Sequence, residues 1–166
     1  MKWKELIKIG ISGSRRFKEP SLAVQYLEKF VINKYENTEE LVFLTGGALG
    51  IDAAVELMCM RRGIKNLIVH ARWVELELVA GPRRNGHIVN LANEMYAFWD
   101  GSSKGTKSFI DKAQKTDKSL TIWSYEGLIK KLKVAPVVHM QLPEKVKKVE
   151  SKRVKQYMQD AKDFFA

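Results

Sequence analysis

Only one cysteine, Cys59, occurs in the chain, so no internal disulfide can brace it. No apolar run approaches the ~18 residues that a bilayer crossing demands, and no membrane partner is expected. The amino-terminal stretch lacks the basic start, apolar run and small-residue cleavage site of a secretory signal. Together these absences point to the cytoplasm. Histidine is scarce: His70, His87 and His139 lie far apart with no accompanying cysteine cluster, so no metal site is expected. The motifs G-x-x-x-x-G-K-[ST] and G-x-G-x-x-G are missing, which removes the phosphate-loop ATPase and the dinucleotide-dependent dehydrogenase. No serine or cysteine has an evident base beside it in the pattern.

What the chain has in excess is positive charge. Its 29 Lys and Arg outnumber 19 Asp and Glu, for a net +10 over 166 residues. That balance suits an anionic partner: phosphate, nucleic acid or an acidic surface. Much of the excess lies in the last third, where a solvated helix face and a nucleic-acid contact both account for it. The length fits one domain plus an appendage. The 45% share of apolar residues is that of a folded globule.

Periodicity then supplies the elements. LIKIGIS, from Leu6 to Ser12, alternates apolar residues and runs into Gly13, as a strand entering a loop does. From Pro20 to about residue 35 the spacing of Leu22, Ala23, Tyr26, Leu27, Phe30 and Val31 predicts a helix. LVFLT, residues 41–45, is a short continuous apolar run typical of a strand covered on both faces. A helix over 51–62 with Gly63 as its left-handed cap, a strand at 66–70, a loop over 71–82 and a helix from Arg83 to about residue 94 follow. The series closes with strands at 95–99 and 120–123 around a helix over 106–115. This alternation demands right-handed crossovers, so the expected class is α/β: a Rossmann-like three-layer sandwich with a mainly parallel sheet of about five strands. The expected division is a nucleotide-binding domain over 1–124 and an extension over 125–166. In that extension a short helix at 126–132, an edge strand at 137–140 and a basic amphipathic helix at 144–165 are expected. The apolar stripe of the last helix suits either packing on the parent domain or a homo-oligomeric contact.

In such a sheet the loops leaving the carboxyl ends of the strands share one edge, where ligands bind. SGSRRF brings Gly13, the hydroxyl of Ser14 and the planar donors of Arg15 and Arg16 to that edge. TGGALGID passes from strand to helix, so Gly46, Gly47 and Gly50 can present backbone N–H groups near the positive end of a helix dipole. Three readings stand for Asp52: acceptor from a ribose hydroxyl, acceptor from the loop backbone, or dipole partner in a first helical turn. AGPRRNG adds Arg84 and Asn85. DGSSKGT again leads into a helix, with Gly101, Ser103 and Gly105 in the turn and Thr106 at the expected cap. Glycine-rich turns on neighbouring strand ends, with several arginines, favour a phosphate-bearing ligand.

The order GSRRF, TGGALGID, A-R-W, AGPRRN and FWDGSSKGT resembles the YspA-like branch of the SLOG superfamily. These are Rossmannoid domains related to the cytokinin-activating phosphoribohydrolases and to DNA-processing protein A. The resemblance covers about residues 6–124. It implies a nucleotide-derived ligand held by Gly13, Ser14 and Arg15, by Gly46, Gly47, Gly50 and Asp52, by Arg84 and Asn85, and by Gly101, Gly105 and Thr106. Trp73 falls at the family's A-x-W position, where stacking on a base and filling the loop core are both open. Two departures stand out. Leu49 replaces an arginine common in that loop, and Phe109 takes the place of the glutamate that assists glycosidic cleavage in the phosphoribohydrolases. Phenylalanine cannot stabilise an oxocarbenium ion or activate water. The leading expectation is therefore binding or sensing of a nucleotide, with no separate cofactor. Second stands a nucleotide hydrolase that uses Asp52 or Asp100 in place of the missing carboxylate. Third stands a single-stranded nucleic-acid binder, suggested by the charge.

Overall fold

The computed structural model describes residues 2–71, 79–135 and 159. Trp73, the strand expected at 137–140 and the helix expected at 144–165 lie outside the described residues, apart from Gln159, which is helical. Compact units span Met1–Val134 and Ala135–Ala166, and all that follows concerns the first.

Five parallel strands form its sheet: β1 (Ile7–Gly13), β2 (Leu41–Thr45), β3 (Lys65–Ile68), β4 (Glu94–Phe98) and β5 (Ser119–Trp123), in the order β3-β2-β1-β4-β5. Successive strand residues alternate between faces, and here both faces are apolar. Ile9, Ile11, Leu41, Phe43, Tyr96 and Phe98 enter one buried cluster; Val42, Leu44, Met95 and Ala97 enter the other. Helices α1 (Pro20–Tyr26), α2 (Ile51–Arg62) and α5 (Tyr125–Leu132) cover the first face. Helices α3 (Ala80–Leu91) and α4 (Lys104–Ala113) cover the second. Gly10 permits this second layer: a Cβ there would lie 3.0 Å from Ala92 Cβ and 3.2 Å from Ile88 Cγ2. The three-layer parallel sandwich expected from the alternation is the fold observed.

Three local expectations need correction. The helix over 20–35 is α-helical only to Tyr26, then passes into a π segment (Leu27–Val31) and a 3-10 turn (Ile32–Lys34). The break expected at Gly81-Pro82 does not occur, since α3 begins at Ala80 and carries both residues in its first turn. A proline is tolerated there because the first N–H groups of a helix have no intrahelical acceptor. Thr106 is likewise not the cap of α4. Ser103 caps it, its side chain accepting from the Thr106 backbone N–H. The left-handed Gly63 after α2 is as expected, with the Ile64 N–H returning to the Cys59 carbonyl at 2.9 Å.

In the order 3-2-1-4-5 the chain first builds outward from β1 through β2 to β3, then restarts on the other side at β4. The crossovers on the two sides of that restart diverge and leave a crevice beyond the carboxyl ends of β1 and β4.

Candidate functional site

A cavity of about 500 Å³ lies at that crevice. Its lining includes Gly13 and Arg15 from the loop after β1, Gly46 and Asp52 from the loop and helix after β2, and Arg84 and Asn85 from α3. Asp100, Ser103, Gly105 and Thr106 come from the loop and helix after β4. Ser14, Gly47, Gly50 and Gly101 are not on its surface, and Trp73 lies outside the described residues.

Ser14 is fully buried behind the lining. Its hydroxyl accepts from the Asp100 N–H at 3.1 Å and lies 3.5 Å from the Thr106 hydroxyl, so it ties the β1 loop to the β4 loop. Gly50 has φ of +83°, which a side chain would strain, and a Cβ there would come within 2.7 Å of the Arg15 carbonyl. At Gly13 a Cβ would lie 2.3 Å from the side chain of Ile51. Both glycines therefore serve the close approach of the first two loops.

Asp52 accepts from the loop backbone and also stands in the first turn of α2, as two of its three readings have it. Its Oδ2 accepts from the Gly46 N–H at 3.0 Å and the Ala48 N–H at 3.2 Å, which folds the TGGALG segment over the start of α2. The residue is only 4% exposed, and Oδ1 is buried with no hydrogen-bond partner among the described residues. Burial pushes its carboxyl up to about 6, against the pull of the two N–H groups and of Arg84.

Arg84 continues the chain of contacts. Its Nη1 donates to the Gly46 carbonyl at 2.7 Å and its Nε donates to Asn85 Oδ1 at 3.0 Å, while Asn85 Nδ2 donates to the Gly105 carbonyl at 3.1 Å. The guanidinium thus lies over Gly46 and links the β2 loop through α3 to the start of α4. Burial, then the nearby charge of Arg15, lower its pKa, and Asp52 opposes the shift. Asp100 is turned into its own loop, where Oδ1 accepts from Ser102 N–H at 2.9 Å and Ser103 N–H at 2.8 Å. Those two donors hold its carboxyl below the ordinary range.

Both acids of the lining are thereby engaged by backbone N–H groups. Arg15, Arg16 and Lys104, which also line the cavity, form no ion pair with a described residue. Phe109 is fully buried in the second apolar cluster, so this position supplies a core side chain. Leu49 is 75% exposed on the TGGALG loop. The motifs did not mark Gly81, Ile88 or Ser108 as lining residues. Helical spacing could have found them: 81, 84, 85 and 88 share one face of α3, and 104, 105 and 108 one face of α4.

No protein-family model matches the chain, and no curated protein does. Solved structures do. DNA processing protein A from Streptococcus pneumoniae superposes with a TM-score of 0.57 at 17% identity, over 82% of this chain and 59% of that one. DNA processing protein A from Helicobacter pylori, reported for its single-stranded DNA binding mode, gives 0.56 at 18% identity, over 72% of this chain and 66% of that one. This chain thus spans less than two thirds of either neighbour. The likeness to DNA-processing protein A indicated by the motifs is present in the fold.

Proposed function

We propose that the cavity binds a phosphate-bearing nucleotide and that the protein acts as a nucleotide-binding or sensing domain. The observation that carries this reading is the opposition of like charges at one cavity. Arg15 lies close enough to Arg84 to disfavour its charge, and Arg16 and Lys104 share the same lining. Cations gathered on the wall of one cavity repel, and an anion among them turns that repulsion into attraction. Asp52 and Asp100 offset this charge only in part, since Asp52 Oδ2 and Asp100 Oδ1 already accept from loop N–H groups. The volume of about 500 Å³ suits a small organic ligand.

A second reading, single-stranded nucleic acid, draws on the net charge of +10 and on the fold shared with a protein that binds single-stranded DNA. The two differ in salt dependence. Strand binding weakens steeply as salt displaces the advantage of counterion release, whereas a single phosphate gives a shallow slope.

Calorimetric titration of the full chain with the four nucleoside monophosphates and a short oligodeoxynucleotide, at two salt concentrations, tests both. Saturable mononucleotide binding that Arg15→Ala weakens by about tenfold is expected, the scale of one charge-assisted hydrogen bond. A folded protein that binds none of them would overturn the proposal. Free base appearing in the titration cell would move the reading to hydrolysis.

A further inference from the structure

Asp52 lines the cavity, yet its Oδ1 is buried without a hydrogen-bond partner among the described residues. The other oxygen, Oδ2, accepts from both the Gly46 and the Ala48 N–H groups, at 3.0 and 3.2 Å. A carboxylate oxygen has two lone pairs, so those donors occupy Oδ2 and leave Oδ1 as the place for a proton. We propose that Asp52 couples ligand binding to proton uptake: an anion entering the cavity draws a proton from solvent onto Oδ1, and binding weakens as pH rises. The inference rests on the proposed anionic ligand of this cavity and adds a control on its affinity.

The charges around Asp52 set the sign. Arg84, from α3, favours its ionised form, and Glu56, one turn further along α2, opposes it. Glu56 is itself engaged, its Oε1 accepting from the Thr45 hydroxyl at 2.8 Å. Arg15 reaches the cavity from the loop after β1, Asp100 from the loop after β4 and Lys104 from the start of α4. After β3, His70 approaches the same loop as Asp52, its Nδ1 3.9 Å from where a Cβ on Gly47 would stand.

An anion among these groups takes up the attraction of Arg84 and Arg15 and sets a negative charge near the Asp52 carboxylate. Both changes disfavour ionisation of a carboxyl that burial has already raised to about 6. Protonation leaves the loop its shape, because a neutral carboxyl keeps Oδ2 as the acceptor for both N–H groups. A ligand hydroxyl donating to Oδ1 would act the other way and favour the carboxylate. The direction of the pH dependence separates the two.

Calorimetric titration of the full chain and of Asp52→Asn with the four nucleoside monophosphates tests this at pH 5.5, 6.5 and 7.5, in paired buffers of unlike ionisation enthalpy. Asparagine imitates the uncharged form at every pH, and protons exchanged by the ligand or by histidine are common to both proteins. The affinity of the unaltered protein relative to the variant is expected to fall at least about fivefold from pH 5.5 to 7.5, a scale set by one charge beside a titrating carboxyl. At pH 6.5 the unaltered protein should take up about half a proton more per ligand bound than the variant does. A ratio that is constant with pH would overturn the inference and leave the anion site standing. A ratio that rises with pH would overturn it too, and would make Oδ1 an acceptor for a ligand hydroxyl. Should Asp52→Asn fail to fold, carbon NMR of the side-chain carboxyls in the unaltered protein gives the answer. The Asp52 signal should titrate at higher pH with nucleotide than without, and coincident titrations would overturn the coupling. A folded protein that binds no nucleotide at any of these pH values would overturn this inference together with the reading it rests on.

Discussion

The contact between Gly46 and Arg84 can be tested without knowing the ligand. Gly46 has no left-handed backbone, so alanine fits its φ and ψ; the obstacle is steric. A Cβ at this position would lie 2.0 Å from Arg84 Nη1, 2.5 Å from its Cζ and 3.0 Å from its Nε. Only the end of the arginine is in the way, so Gly46→Ala should fold, but with the guanidinium displaced. That displacement breaks the 2.7 Å bond to the Gly46 carbonyl and the 3.0 Å bond to Asn85 Oδ1. Hydrogen bonds from a charged donor contribute about 1.5 to 3 kcal/mol each, less where water can replace the lost partner, so a cost of about 2 kcal/mol is expected.

Arg84→Ala removes the same two bonds and should cost a similar amount. In the double variant the new methyl group meets no guanidinium, so the second substitution should add almost nothing. Urea unfolding of the four proteins gives the coupling directly: the double variant should be more stable than the sum of the single costs implies, by about 2 kcal/mol. Strict additivity would refute the argument, because it would mean that Arg84 is not what alanine at position 46 encounters. The ligand titration supplies a second readout, in which Gly46→Ala should weaken nucleotide binding while the distant exposed side chains of the fold remain as they were.

Two further outcomes follow from buried titratable groups. Asp52 has its carboxyl raised to about 6 in the folded protein, so its contribution favours folding below the unfolded value near 4 and is lost as pH rises through 6. Relative to Asp52→Asn, the unaltered protein should therefore lose about 2 to 3 kcal/mol between pH 4 and pH 7.5, seen as a change in the gap between their urea midpoints; a constant gap would refute the burial argument. Cys59 is buried against the first apolar cluster, and burial pushes its thiol up to about 12. It should react with a thiol reagent at pH 8 only at the rate of opening, and denaturant should release full reactivity; fast labelling of the folded protein would contradict its placement.

The sheet was legible because its strands leave no ambiguity of period. LVFLT is apolar throughout and is buried at every position, while Gly13 and Gly63 mark the ends of their elements. Less legible were features that obey the same periodicity but differ in backbone. A π segment at Leu27–Val31 keeps apolar residues on one side of the helix much as an α-helix would, so spacing does not reveal it. Gly81-Pro82 looked like a break because turns use the same pair, yet a helix start accepts it equally well. Ser103 and Thr106 both carry cap hydroxyls at a spacing of three, and only the fold shows that the first caps the N–H of the second.

The site shows why motif residues divide into two kinds. Ser14, Asp52 and Asn85 are buried, and each forms a hydrogen bond to backbone, of another loop, of the loop ahead of its own helix, or of the first turn of another helix. Together with Arg84, which reaches the Gly46 carbonyl, they join the loops after β1, β2 and β4 into one framework before any ligand arrives. Arg15, Arg16 and Lys104 are exposed and pair with no described acid, so they remain available to an incoming anion. Substitutions in the first group should therefore alter stability and binding together, and substitutions in the second should alter binding alone. Leu49 fits this division, since a residue 75% exposed on the loop can change without loosening the bonds from Asp52 that shape it. Phe109 fits it from the other side. Placing a carboxylate there would bury an unpaired charge in the second apolar cluster, so a glutamate at this position would require repacking α4 against the sheet, not one substitution.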